Sequence, residues 1–167
     1  MQLQWVGDLV ELGGPLVTAE IVPAPHEHGR GPHKHGRGPH SRVTAPPVGY
    51  VSNGEGRRVH FPGNTGLFDE MEQLGDIDVA MLPIWGWGWG STLGTGHLDP
   101  TRATTATGLI RLGMVVPIHW GTYAPEDGRR LPSWFDDPPA RFEQALADAG
   151  LSQFLHLLHP GESVSIA

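Results

Sequence analysis

The chain has no cysteine, and this absence excludes several kinds of chemistry together. Disulfides, thiolate metal sites and a cysteine nucleophile are all ruled out, although the compartment is not fixed by this alone. Positive charge is also scarce, because 18 acidic residues against 11 basic ones give a net charge of -7. Binding to a phosphate backbone needs clustered Lys and Arg, so we expect no nucleic-acid partner.

Long apolar runs are missing as well. No run approaches the roughly 20 residues that a membrane-spanning helix needs, and the first residues, MQLQWVGDL, lack a basic region followed by an apolar one. We therefore expect no membrane span and a cytoplasmic protein. A chain of 167 residues is predicted to form one domain, long enough to bury about two thirds of its unfolded surface.

Glycine, proline and histidine are abundant, at 24, 16 and 10 residues. Four of the histidines lie in a tandem repeat, PHEHGRG at 25–31 and PHKHGRG at 32–38, which continues as PHSR. Its Gly and Pro exclude a coiled coil. The segment 25–40 is either a metal-collecting tract or a duplication in a tolerant surface loop, and for the second copy we favour the duplication.

Short strands alternate with helices in the predicted secondary structure, which makes the class α/β. Asp99 followed by Pro100 is typical of a helix N-terminus, Asn53-Gly54 of a hairpin turn, and Pro117 of an edge strand or a bulge. The predicted strands are 15–24, two within 49–61, 79–85 and 114–119, and the predicted helices are 67–74, 99–112 and 139–149.

Several side chains admit two interpretations. Trp85, Trp87 and Trp89 alternate with glycine and Trp120 follows His119, so these rings either line a ligand pocket or pack the loop onto the core. Neither a G-x-S-x-G elbow nor a phosphate-binding P-loop is present. The aspartates at 76, 78, 136 and 137 are predicted to be solvated turn or cap residues.

Five motifs occur in an order and spacing that resemble the C-terminal half of metallo-β-lactamase-fold hydrolases. The resemblance is to the branch that includes ascorbate-6-phosphate lactonase and the phospholipase D acting on N-acyl-phosphatidylethanolamine. The motifs are VPAPH (22–26), HFPGNTGLFDEM (60–71), DIDVAMLPIWGWG (76–88), GTGHLDPTRA (94–103) and VVPIHWGT (115–122).

The resemblance implies half of a four-layer αββα sandwich, with a mixed sheet and flanking helices, and a site for one or two divalent metals such as zinc. His26 would bind one metal and His119 the other, with Asn64 between them. His97 precedes a predicted helix N-terminus, where it either orients or protonates the substrate or is a plain loop histidine. The repeat leaves His33 as an alternative to His26. A histidine directly after a strand projects from a rigid backbone, which suits a metal ligand. A metal held with an open position turns its bound water into hydroxide near neutral pH.

Two departures from the family pattern predict an incomplete metal site. Asn64 stands where the family has the aspartate of GDTG, and no HxHxDH motif precedes His26, so the first half of the fold is expected to be absent from 1–167. The interpretation is a hydrolase of esters, lactones or phosphodiesters; its rivals are an inactive or truncated homologue and a His-rich metal-binding module. We expect an apolar sheet face, including parts of VAMLPIW and MVVPI, to be covered by a homodimer partner or by a separate chain carrying the other half.

Overall fold

The computed structural model describes residues 7, 9–11, 17–25, 35–36, 44–45, 47–86, 96–121 and 137–166. Within these ranges a six-stranded sheet has the order β1-β2-β5-β6-β7-β8, and β3 pairs with β4 separately. The strands are β1 Leu9–Glu11, β2 Val17–Pro23, β3 His35–Gly36, β4 Thr44–Ala45, β5 Val48–Gly54, β6 Arg57–Phe61, β7 Asp76–Pro83 and β8 Arg111–Ile118. The helices are α1 Pro100–Leu109 and α2 Pro138–Asp148, with short 3₁₀ helices at Asp69–Leu74 and Ser152–Phe154. The predicted α/β class is confirmed.

Strand direction brings four strand ends to one edge of the sheet. β2 is antiparallel to β5, β5 is antiparallel to β6, and β6, β7 and β8 are mutually parallel. It follows that β2, β6, β7 and β8 all run the same way. Their carboxyl ends therefore lie at the same edge, which is where loops of an α/β sheet carry functional groups.

The apolar runs in β7 and β8 are buried, as expected for strands covered on both faces. Ala80 pairs with Val115, and both are fully buried. The expectation for Pro117 is confirmed: β8 pairs with β7 alone among the described strands, apart from one bridge between Val115 and Leu155. Proline has no N–H to donate. At this edge position no second described strand would need one from Pro117.

The helices share one core with the sheet. Asp99 caps α1 by accepting a hydrogen bond from the Arg102 backbone N–H at 2.8 Å, and Pro100 occupies the first helical position, as predicted. α1 ends at Leu109 because β8 begins at Arg111. The core includes Val51, Ala80, Leu82 and Val115 of the sheet, Met71 and Leu74 of the first 3₁₀ helix, and Ala103, Ala106, Phe142 and Leu146 of the two helices.

The predicted hairpin turn is two residues too early. Asn53 pairs with Arg58 inside the β5–β6 ladder, and the turn is Glu55-Gly56, with φ of 51° and 76°. Positive φ at both central positions is the requirement of the favoured two-residue hairpin turn. Asn53 stays in the strand because its side-chain oxygen accepts a hydrogen bond from the Arg58 Nε–H at 3.1 Å.

The exposed apolar surface also differs from the prediction. Val79 and Val116 are only 5% and 7% exposed, so β7 and β8 offer little apolar surface to solvent. These strands lie at the centre of the core, with β6 beside β7 and Leu155 beside β8. The exposed large apolar side chains are at the other end of the sheet order and near the C-terminus: Leu9, Val17, Tyr50, Phe61 and Ile166.

Candidate functional site

Three of the segments predicted to carry the site are joined by hydrogen bonds at the common strand edge. The carbonyl of Pro25, just after β2, accepts bonds from the Gly66 backbone N–H at 2.7 Å and the Thr65 hydroxyl at 3.3 Å. The carbonyl of Thr65 in turn accepts a bond from the Leu98 N–H at 2.9 Å. The turn after β6 is thus tied both to the segment after β2 and to the one before α1.

Asn64 and His97 are brought into direct contact by these bonds. The His97 Nδ1 atom lies 2.7 Å from the Asn64 Oδ1 atom, and both residues are partly buried. The backbone carbonyl of His97 also accepts a hydrogen bond from the Arg102 guanidinium at 3.4 Å. Two residues that were considered separately from the sequence, His97 either as a substrate-directed group or as a loop histidine, therefore form a pair.

His119 lies at the end of β8, on the same sheet edge. Its φ of 58° is in the left-handed region, where histidine is among the residues found more often than most. Such a conformation costs about 1–2 kcal/mol, and its effect here is to end the strand. The exposed His119 ring meets the Trp85 ring edge to face, with centroids 6.4 Å apart and an interplanar angle of 62°.

The tryptophans that the structure describes pack against protein. Trp85 is 4% exposed, and Trp120 packs against the hydrophobic core. The packing interpretation therefore accounts for these two rings. Trp87 and Trp89 lie outside the described residues, as do both candidate ligands of the repeat, His26 and His33.

A metal site is only partly represented in the described residues. They contain no group of three or more His, Asp or Glu side chains placed to hold a metal ion. The strand edge offers two imidazoles, of His97 and His119, and the neutral amide of Asn64, whereas a structural or catalytic zinc normally takes at least three good protein ligands. The described side chains do not fit a complete metal centre by themselves.

His60 is a buried titratable residue that the sequence analysis did not single out. It is 0% exposed, and neither ring nitrogen has a hydrogen-bond partner among the described residues. Burial, with a smaller effect from the charge of Arg58, lowers the pKa of His60 from 6.5 to about 4. The sequence signal that could have indicated its burial is strand alternation. In β6, His60 is paired with Val51 of β5 and with Ala80 of β7, and both of these residues are in the core.

Asp76, Asp78 and Asp137 have structural partners, and Asp136 lies outside the described residues. Asp78 accepts hydrogen bonds from the Arg58 backbone N–H at 2.7 Å and from the Arg57 guanidinium at 2.9 Å. The first of these bonds is the largest cause of the lowered pKa of Asp78. Asp76 pairs with Arg111 at the surface, and Asp137 precedes α2. These contacts fix strands and helix ends at positions away from the Asn64–His97 pair.

The fold and the common strand edge define a class of protein. A model of the β-lactamase superfamily domain matches residues 2–120, and the chain belongs to that family. Its mixed sheet and helices are those of the metallo-β-lactamase fold, as the resemblance implied.

Individual relatives carry more specific names. A UPF0173 metal-dependent hydrolase of Methanopyrus kandleri is 34% identical over 120 residues, which are 70% of this chain and 45% of the relative. The N-acyl-phosphatidylethanolamine-hydrolyzing phospholipase D 1 of Caenorhabditis elegans is 33% identical over 129 residues, covering 73% of this chain and 34% of that protein. The metallo hydrolase Igni18 of Ignicoccus hospitalis superposes with a TM-score of 0.66 at 27% identity, covering 96% of this chain and 58% of its own. The chain thus spans about half the length of the relatives it matches.

Proposed function

We propose that this chain forms part of a metal-dependent hydrolase that cleaves an ester, a lactone or a phosphodiester with the help of zinc. The observation that carries the proposal is the meeting of the segments after β2 and β6 with the segment before α1, at the edge where β8 presents His119. The names of the relatives support the same class of activity. A cytoplasmic location belongs to the proposal and is testable by cell fractionation.

His119 and His97 have separate roles in this proposal. His119 is a metal ligand at the end of a rigid strand, and His97 acts on the substrate or on the attacking water. A divalent metal, when bound, would polarise the substrate and lower the pKa of water. The remaining ligands would be His26 or His33, together with groups from polypeptide that corresponds to the rest of the relatives' length.

Two other functions have specific features in their favour. Asn64 has no negative charge with which to hold two dications, which favours an inactive homologue that keeps the fold. The repeated histidines of 25–40 favour a metal-binding module instead. These alternatives predict no hydrolysis, whereas the proposed function predicts it.

A partner is part of the proposal because aromatic surface is exposed on the sheet. Tyr50 and Phe61 are directly paired across β5 and β6, and they are 42% and 43% exposed. Directly opposed residues share a sheet face, so the two rings form a continuous apolar patch. We propose that a second copy of the chain covers it, or failing that a separate chain carrying the other half of the relatives' sequence.

The proposed activity is testable with the full chain. Zinc-loaded protein is assayed on p-nitrophenyl acetate, bis-p-nitrophenyl phosphate and a δ-lactone, beside the variants His119→Ala and His159→Ala. His159 is an exposed histidine that the sequence analysis did not assign to the site, and it serves as the control. We expect zinc-dependent turnover of at least one substrate, lost in His119→Ala and kept in His159→Ala. Turnover of none, or turnover indifferent to His119, would reject the proposed function.

A further inference from the structure

The contact between Asn64 and His97 determines which nitrogen of the histidine carries the proton. The Oδ1 atom of a carboxamide has lone pairs and no hydrogen, so it only accepts hydrogen bonds. At 2.7 Å from this oxygen, the His97 Nδ1 atom forms a hydrogen bond in the tautomer that carries the proton on Nδ1. A neutral imidazole has one N–H, so the Nε2 atom of His97 then holds the lone pair.

The backbone around the pair holds both side chains in place. On one side, the Thr65 carbonyl accepts the Leu98 N–H at 2.9 Å, which links the residues immediately following Asn64 and His97. On the other, the Thr65 side chain is fully buried and bonded to the Pro25 carbonyl. The distance between Asn64 and His97 is thus set by two fixed backbone segments, which favours one tautomer over a mixture.

We propose that Asn64 is a positioning residue for His97 and is not itself a metal ligand. By accepting the hydrogen bond from Nδ1–H, Asn64 makes the Nε2 atom of His97 the accepting atom of the ring, suited to take a proton from water. A histidine ligand is typically oriented by an acceptor at its other nitrogen in this manner. The amide serves this purpose without charge, which accounts for a neutral residue in the GNTG turn. The proposal rests on the proposed function for its use of Nε2.

The proposal assigns His97 a direction of proton transfer that the sequence left open. A ring with its proton on Nδ1 and bonded to Asn64 accepts at Nε2 and does not donate there. His97 is therefore a base in the first step, and the option of protonating the substrate arises only after Nε2 has gained a proton.

The tautomer is measurable without any metal or substrate. We would record long-range ¹H–¹⁵N correlation spectra of the full chain with ¹⁵N-labelled histidine rings in zinc-free alkaline buffer, where the rings are neutral. The His97 signals are those absent from His97→Gln. We expect a pyrrole-type Nδ1 and a pyridine-type Nε2 in the wild type, the reverse of the form usual for free histidine.

Three variants test whether Asn64 causes this state. Asn64→Leu removes the acceptor and is expected to restore the usual Nε2–H form, while Asn64→Asp keeps an acceptor and should keep Nδ1–H. Gln73→Leu removes an exposed amide elsewhere and should leave the His97 signals unchanged. Nε2–H in the wild type, or Nδ1–H that persists in Asn64→Leu, would overturn the proposal.

The spectra also separate this proposal from the proposed function. Wild-type protein with Nδ1–H but without turnover of any tested substrate would reject the hydrolase and leave the Asn64–His97 relation standing. Where turnover is found, Asn64→Leu should lower kcat with little change in KM, and Asn64→Asp should retain it. A raised KM with an unchanged kcat in Asn64→Leu would contradict a role that acts through His97.

Discussion

Replacing His60 by leucine is predicted to stabilise the chain and to remove part of its sensitivity to acid. The ring is fully buried, and both nitrogens lack hydrogen-bond partners in the part of the chain that the structure describes. A buried polar group left unsatisfied costs about 1–3 kcal/mol. Leucine has a similar volume and no polar atom, so His60→Leu is expected to raise the free energy of unfolding at pH 7 by about that amount.

The pH dependence follows from the lowered pKa of His60. Between pH 6.5 and about 4 the unfolded chain binds a proton at His60 that the folded chain does not bind. The free energy of unfolding therefore falls as the pH drops through this window. Below the window His60 causes no further decrease. The difference of 6.5 − 4 = 2.5 units corresponds to about 3 kcal/mol at 1.36 kcal/mol per unit.

Urea unfolding of the wild type, His60→Leu and His159→Gln at pH 7 and pH 4.5 measures both the stability gained at pH 7 and its dependence on pH. The carboxylates contribute equally to all three, so the comparison between variants isolates His60. We expect the advantage of His60→Leu over wild type to grow by roughly 2–3 kcal/mol on going to pH 4.5. His159→Gln, which removes an exposed histidine, serves as the control and should follow the wild type. Parallel pH profiles for wild type and His60→Leu, or a less stable variant at pH 7, would refute the burial argument.

Three further predictions concern the metal, the repeat and the partner. Asn64→Asp is expected to strengthen zinc binding about tenfold, because a carboxylate adds a negative charge beside the site; equal zinc titrations of the two forms would mean that the site is not assembled. Deleting residues 32–38 should change the unfolding free energy by less than ~1 kcal/mol, and a loss of several kcal/mol in urea would show that this copy packs. Tyr50→Ser with Phe61→Ser should turn a dimer into a monomer in sedimentation equilibrium, an idea that a monomeric 18.0 kDa wild type would rule out.

Local rules predicted the parts of the fold whose cause is local. The start of α1 follows from Asp99 and Pro100, because a cap and a fixed φ act within one helical turn. The hairpin turn was misplaced because Asn53-Gly54 has the right local preference, while the register is held by contacts of Asn53 with Arg58. Sequence spacing does not contain that register.

The site was predictable as a set of segments and not as a set of contacts. Parallel strands bring their ends together, which placed Asn64, His97 and His119 at one edge. The bond between Asn64 and His97 depends on two hydrogen bonds of Thr65, one through its backbone carbonyl and one through its hydroxyl, across more than 30 residues of sequence. The burial of His60 likewise depends on neighbours in β5 and β7, and no local pattern sets its lack of partners.

Zinc binding by the full chain tests the central claim most directly. Equilibrium dialysis compares the wild type with His119→Ala, His159→Ala and a chain lacking residues 28–40. The account predicts that zinc affinity falls at least about tenfold in His119→Ala, since a lost ligand costs no less than a lost outer partner, and stays at the wild-type value in His159→Ala. The deletion leaves the affinity unchanged where His26 is the ligand and lowers it where His33 is. Zinc binding that survives His119→Ala and disappears with residues 28–40 would contradict it, because the metal would then belong to the repeat and not to the strand edge.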